Sequence, residues 1–198
     1  EKNLLARAVR KQEAVFLYHI ELSTSQINSI FTYIAEDNMK LKKLYLTSND
    51  LSAVEKEILS TALNKLEEVD LSDNELSTPQ ITSIVTNIME LDSKLKRLNL
   101  EKCQLSAIEE EMLARAVNKL QEVNLCGTEL SNSQITRILI HAVQQDSKLK
   151  KLNLAQNNMT TVEGEVLARA MKRLENLDLD VHHWPMVPQV SSILTYIM

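Results

Sequence analysis

The sequence predicts an α/β solenoid, a right-handed coil of strand–helix units bent into a horseshoe with a parallel sheet on the concave face and helices on the convex face. Three observations predict it. The chain aligns with itself without a gap at a period of 54 residues, in segments that begin KLKKLYL at Lys40, KLKRLNL at Lys94 and KLKKLNL at Lys148. Each period holds two copies of LxxLxLxxNxL, whose alternating LxL centre is a strand signal. Between the copies, apolar residues recur at helical spacing. A single array over residues 1–198 follows, with strand segments starting near 12, 41, 66, 95, 120, 149 and 174 and spaced alternately by 29 and 25 residues.

The first segment is degenerate and reads Gln12, Val15, Leu17, Ile20, Leu22. One kind of coil reads Leu41, Leu44, Leu46, Asn49, Leu51 and recurs at Leu95, Leu98, Leu100, Cys103, Leu105 and at Leu149, Leu152, Leu154, Asn157, Met159. The other kind reads Leu66, Val69, Leu71, Asn74, Leu76 and recurs at Leu120, Val123, Leu125, Thr128, Leu130, with a last copy from Leu174, Leu177, Leu179. The residues before Lys40 match the end of the same unit, since LLARAV at Leu4 returns as MLARAV at Met112. With the first Leu as position one, positions one, four, six and nine are expected in the core. Positions two, three, five, seven and eight are expected on the concave side or its rim.

The connecting segments read as amphipathic helices. Ile81, Ile84, Val85, Ile88 and Met89 form one stripe, repeated by Ile135, Ile138, Leu139, Ala142 and Val143. Met112, Leu113, Ala116, Val117 and Leu120 form the stripe of the first kind of coil. Capping boxes are expected at Ser23–Gln26, Ser52–Glu55, Ser77–Gln80, Ser106–Glu109, Ser131–Gln134 and Thr160–Glu163. Glu55, Glu109 and Glu163 early, and Lys65, Lys119 and Arg173 late, suit the helix dipole. Strands sit about 4.8 Å apart and packed helices need about 8–10 Å, so the stack must bend with its strands inside.

Composition excludes several classes of function. Gly127 and Gly164 are the only glycines, too few for a phosphate-cradling loop, and no GxxxxGK[ST] occurs. The net charge is −5 with both signs spread along the chain, so no basic block fits nucleic acid. No apolar run approaches the length of a membrane span. Cys103 and Cys126 make no disulfide framework, which points to a reducing, cytoplasmic setting.

With LxxLxLxxNxL, full helices and coils of 25 to 29 residues, the chain resembles the ribonuclease-inhibitor class of leucine-rich repeats. Its paired coils and phrases such as LARAVNKLQEVNL resemble the repeat regions of NOD-like innate immune receptors. That resemblance implies a nucleotide-binding domain and an effector domain elsewhere in a longer chain. Glu1 aligns inside a helix and Met198 falls before a helix pattern is complete, so flanking repeats or domains are expected.

The concave columns hold the candidate binding residues. At positions two and three, Lys42–Lys43, Lys96–Arg97 and Lys150–Lys151 alternate with Glu67–Glu68, Gln121–Glu122 and Glu175–Asn176. Lys43, Glu68, Arg97, Glu122 and Lys151 should form one cross-strand row, either a docking strip or a self-neutralising ladder. Position five runs Phe16, Tyr45, Asp70, Asn99, Asn124, Asn153, Asp178. Position seven runs Tyr18, Thr47, Ser72, Glu101, Cys126, Ala155, Asp180, and position eight His19, Ser48, Asp73, Lys102, Gly127, Gln156, Val181. Columns seven and eight vary most while the core columns hold. Phe16, Tyr18, His19, Tyr45, Asp70, Ser72, Asp73, Asn99, Glu101, Lys102, Asn124, Asn153 and Asp178 are therefore the expected contacts for a protein or other macromolecular partner. Phe16, Tyr18 and Tyr45 should cluster, as interface anchors or as contacts to a preceding repeat.

No catalytic, cofactor or metal set emerges. Cys103 fills position nine as a small core residue, and Cys126 is expected on the concave side. In the last coil VHHWPMVPQ replaces SDNELSTPQ. His182 and His183 are adjacent and lack ligand-spaced companions, and Trp184 is expected to cover the end of the core. His19 and His141 belong to no Ser/His/Asp or Cys/His pattern. The expected function is non-catalytic sensing or docking in an intracellular immune receptor. The alternatives are a stand-alone inhibitor or scaffold of the ribonuclease-inhibitor kind, and a GTPase activator presenting a rim residue on the same fold.

Overall fold

The computed structural model describes residues 8–9, 11–20, 22–35, 40–90 and 92–179. Asp180, Val181, His182, His183, Trp184 and the two chain ends lie outside the described residues. Within them strands and helices alternate: β1 (Ala14–Phe16), α1 (Thr24–Ala35), β2 (Lys43–Tyr45), α2 (Lys56–Asn64), β3 (Glu68–Asp70), α3 (Thr78–Ile88), β4 (Arg97–Asn99), α4 (Glu110–Lys119), β5 (Glu122–Asn124), α5 (Asn132–Ala142), β6 (Lys151–Asn153), α6 (Gly164–Arg173) and β7 (Asn176–Asp178). The strands form one parallel sheet in chain order. Val15, Leu44, Val69, Leu98, Val123, Leu152 and Leu177 stand in one row across it. The alternate spacing of the sequence is thus the register of the sheet.

One core runs the length of the stack. The leucines of positions one, four and six from Leu41 to Leu174 are buried, as are the helix faces Ile81/Ile84/Val85/Ile88, Leu113/Ala116/Val117 and Ile135/Ile138/Leu139/Ala142. Each helix packs on the next helix in the chain, so helices and strands form two layers. Two inward positions of the degenerate first coil fail. Gln12 is exposed, and Ile20 is 42% exposed. Polar Gln gains nothing from the core. Ile at position nine cannot make the hydrogen bonds that hold Asn there.

Those bonds tie coil to coil. The Asn74 amide nitrogen donates to the carbonyls of Leu46, Leu71 and Ser72, and Asn49 and Asn157 repeat the pattern. Thr128 substitutes with one bond to the Leu125 carbonyl, and the Cys103 thiol donates to that of Leu71. Burial pushes the Cys103 thiol up to about 11.

The helix starts divide into two designs. Ser77–Gln80 and Ser131–Gln134 are reciprocal capping boxes, as expected. Their glutamines also donate backwards, Gln80 to the carbonyls of Leu51 and Val54 and Gln134 to those of Leu105 and Ile108. Helices α2, α4 and α6 do not start at Ser52, Ser106 and Thr160. They start three residues later, with Glu55, Glu109 and Glu163 in the capping position. Ser52 and Thr160 instead bond the side-chain oxygens of Asp50 and Asn158, which holds them in a turn. That turn buries Val54, Ile108 and Val162. The Glu109 carboxylate accepts from the backbone of Glu111 and Met112, and these bonds hold its pKa down.

Candidate partner-binding face

The strands line a shallow hollow of about 400 Å³ that spans β2 to β7, from Tyr45 to Asp178. Its charged row is the one the sequence predicts. Lys43, Glu68, Arg97, Glu122 and Lys151 are register partners. Glu68 is bridged by Lys43 at 3.3 Å and by Arg97 at 2.9 Å, and Lys151 meets Glu122 at 3.1 Å. Partial burial raises the pKa of Glu68, but hydrogen bonds from Tyr45 and Arg97 outweigh it and leave the net shift downward. The neighbouring row pairs Lys42 with Glu13, Lys96 with Glu67 and Lys150 with Glu175. These bonds are the geometry of a ladder that cross-links coils.

Position five has a structural duty as well. The Oδ1 atoms of Asp70, Asn99, Asn124 and Asn153 accept the backbone N–H two residues on, closing the end of each strand. Asn99 also donates to Asp70, and Asn124 to Glu101. Five of the predicted contacts, Asp70, Asn99, Glu101, Asn124 and Asn153, thus carry scaffold bonds while facing the hollow or its rim.

Position seven departs from expectation. Ser72 is only 6% exposed and bonds Asp70 and Thr47 through its hydroxyl. Cys126 and Ala155 are buried too, so Cys126 is no exposed concave thiol. The chain turns at this point and tucks small side chains under it. Position eight is the turn itself. His19, Ser48, Asp73, Lys102, Gly127 and Gln156 all adopt φ between 48° and 62°. This left-handed conformation costs a side-chain-bearing residue roughly 1–2 kcal/mol. Asp73 accepts the Ser48 hydroxyl at 2.7 Å.

The aromatic residues do come together. Phe16 and Tyr45 stack with ring centres 4.6 Å apart, and Tyr18 tilts against both at 5.9 and 6.3 Å. Phe16 is 56% and Tyr18 46% exposed. The Tyr45 hydroxyl donates to Glu68, and desolvation together with this bond pushes its pKa up to about 12. Among the described residues no His/Cys/Asp/Glu group is placed to hold a metal ion, and no helix is long and apolar enough to cross a membrane. His141 lies on the helical layer, 3.1 Å from Glu111, away from the sheet.

Residues 62–79 match a protein-family model described as Leucine Rich repeat. Among solved structures, an internalin from Listeria monocytogenes is 17% identical with a TM-score of 0.48, over 79% of this chain and 37% of that one. A leucine-rich-repeat protein from Leptospira interrogans is 18% identical with a TM-score of 0.42, over 83% of this chain and 48% of that one. The chain therefore spans less than half the length of either protein.

Proposed function

For an α/β leucine-rich-repeat solenoid with this sheet face, we propose a non-catalytic docking module that holds a protein partner against its strands. The observation that carries the reading is the Phe16–Tyr18–Tyr45 cluster beside the hollow, with Phe16 and Tyr18 exposed. Large rings left in water on a rigid sheet are of little use to the fold and are the commonest anchors of interfaces. The array is part of a longer cytoplasmic chain, and the resemblance of its paired coils makes a receptor of the NOD-like kind the first choice for the whole protein. The partner-facing residues are Phe16, Tyr18, Tyr45, Asp70, Asp73, Glu101 and Lys102 near the first coils and Asn124, Asn153 and Asp178 further along.

A photo-crosslinking amino acid placed at Asn124 on the sheet, and separately at Met171 on the helical layer, tests this. Protein adducts are expected at the sheet position. Adducts confined to Met171 would move the docking surface to the other layer. The pair Tyr18→Ala and Tyr45→Ala should abolish partner capture while the circular dichroism melt shifts by only a few degrees.

A further inference from the structure

The three clustered rings do not stand alone. Phe16, Tyr45 and Asp70 are register partners at position five, so a stacked aromatic pair runs directly into a carboxylate on the next strand. The Tyr18 hydroxyl senses the same charge: desolvation first, and then Asp70, raise its pKa. Among the described residues Asp70 is held by neutral donors alone, Ser72 and Asn99. Asp73 is held by the Ser48 hydroxyl and Glu101 by the Asn124 amide. None of these three acids has a cation within ion-pair distance among the described residues.

The two sides of the strands differ in this respect. The residues of positions two and three are interleaved and mutually neutralised by the ladder. Positions five, seven and eight of β1 to β4 carry Asp70, Asp73 and Glu101 against the single cation Lys102. Carboxylates therefore outnumber cations beside the rings on the side where the chain leaves each strand, while Arg97, paired with Glu68, acts on the Tyr45 hydroxyl from the other side. The first coils thus present ring faces and carboxylates, and they call for N–H donors with positive charge.

We propose that the Phe16–Tyr18–Tyr45 cluster, with Asp70 and Asp73, is a seat for an arginine-bearing segment of a protein partner. The inference rests on the docking reading above and names the chemistry of the partner. Arginine suits the geometry better than a compact ammonium. Phe16 and Tyr45 lie 6° from parallel and leave no slot between them, so a cation must lie against the outside of the rings. A planar guanidinium stacks there and still directs its N–H groups sideways to carboxylates.

The probe is a capped hexa-arginine peptide, compared with hexa-lysine and hexa-glutamate of the same length, and binding is followed residue by residue by NMR. Hexa-arginine should shift Tyr18, Tyr45 and Asp73, bind at least threefold tighter than hexa-lysine, and leave Glu110 and Glu111 unmoved. Phe16→Ala should weaken it at least fivefold, and Asp73→Asn, which keeps a side chain tolerant of the left-handed turn, at least threefold. Met171→Ala, on the helical layer, should bind like the parent, and circular dichroism melts of the variants that match the parent's exclude misfolding as the cause. Binding that is equal for hexa-glutamate, indifferent to Asp73→Asn, or centred on Glu110 and Glu111 would overturn the proposal. If the arginine peptide fails while crosslinks still form at Asn124, the arginine seat falls and the docking face stands. If crosslinks form only at Met171, the docking face itself falls.

Discussion

The residue three places after the serine or threonine that precedes each helix is sorted by coil. The second kind of coil uses Gln26, Gln80 and Gln134, and the first kind uses Glu55, Glu109 and Glu163. The sorting is visible in the sequence. Its reason is not, because the carbonyls that Gln80 and Gln134 reach lie 26 and 29 residues earlier. A carboxylate at those sites would face two carbonyls with nothing to donate. Gln134→Glu is expected to cost about 2–3 kcal/mol, from lost donors and an uncompensated buried charge, whereas Glu55→Gln should be nearly neutral. Urea melts of the two variants compare them directly. The turn at position eight makes a second case. Its variety of residue types in the sequence looks like freedom for a ligand, but every copy among the described residues is bent to positive φ. Gln156 gains nothing visible from its side chain there. Gln156→Gly should stabilise by about 0.5–1 kcal/mol, as relief of the left-handed strain exceeds glycine's added entropy in the unfolded chain.

Strands were the most legible elements. Because the chain carries its own copies, aligning them at 25 and 29 residues yields the cross-strand row Lys43–Glu68–Arg97–Glu122–Lys151 from the sequence alone, and the sheet register matches it. The starts of α2, α4 and α6 were less so. Ser52–Glu55 fits a capping box by spacing alone, and only the bond from Ser52 to Asp50 shows that the serine is engaged two residues earlier. The candidate site was half legible. Position-five side chains read in the sequence as ligand contacts, and most also fasten strand ends, since a short Asn or Asp side chain reaches its own backbone as readily as a partner. The ladder carries a pH signature. Glu68 is held below its ordinary value of 4.5, so its ion pairs stabilise the fold fully above that value and weaken as pH falls through the lowered one. Acid unfolding should therefore shift to higher pH in Glu68→Gln, while the two proteins converge once the pH lies well below the lowered value. Circular dichroism across an acid titration checks this.

At the scale of the whole array, the shared spine makes each leucine a contact of its neighbours. Leu98 is 4% exposed in the middle of the sheet, and Leu98→Ala should cost about 2–5 kcal/mol through the cavity it leaves. The alternation of charge adds a constraint of number. Deleting residues 94–147 removes a complete pair of coils and brings Glu68 beside Lys151, where a bridge forms again. Deleting residues 95–119 removes one coil and brings Glu68 beside Glu122. The first deletion is expected to fold cooperatively with a reduced urea m-value. The second should melt at a lower urea concentration although it loses fewer residues. In a gene, the same rule bears on inheritance. Misaligned recombination between copies of this array is tolerated when the daughters gain or lose coils two at a time. Length variants in a population should therefore differ by multiples of a two-coil cassette, with odd-numbered intermediates purged.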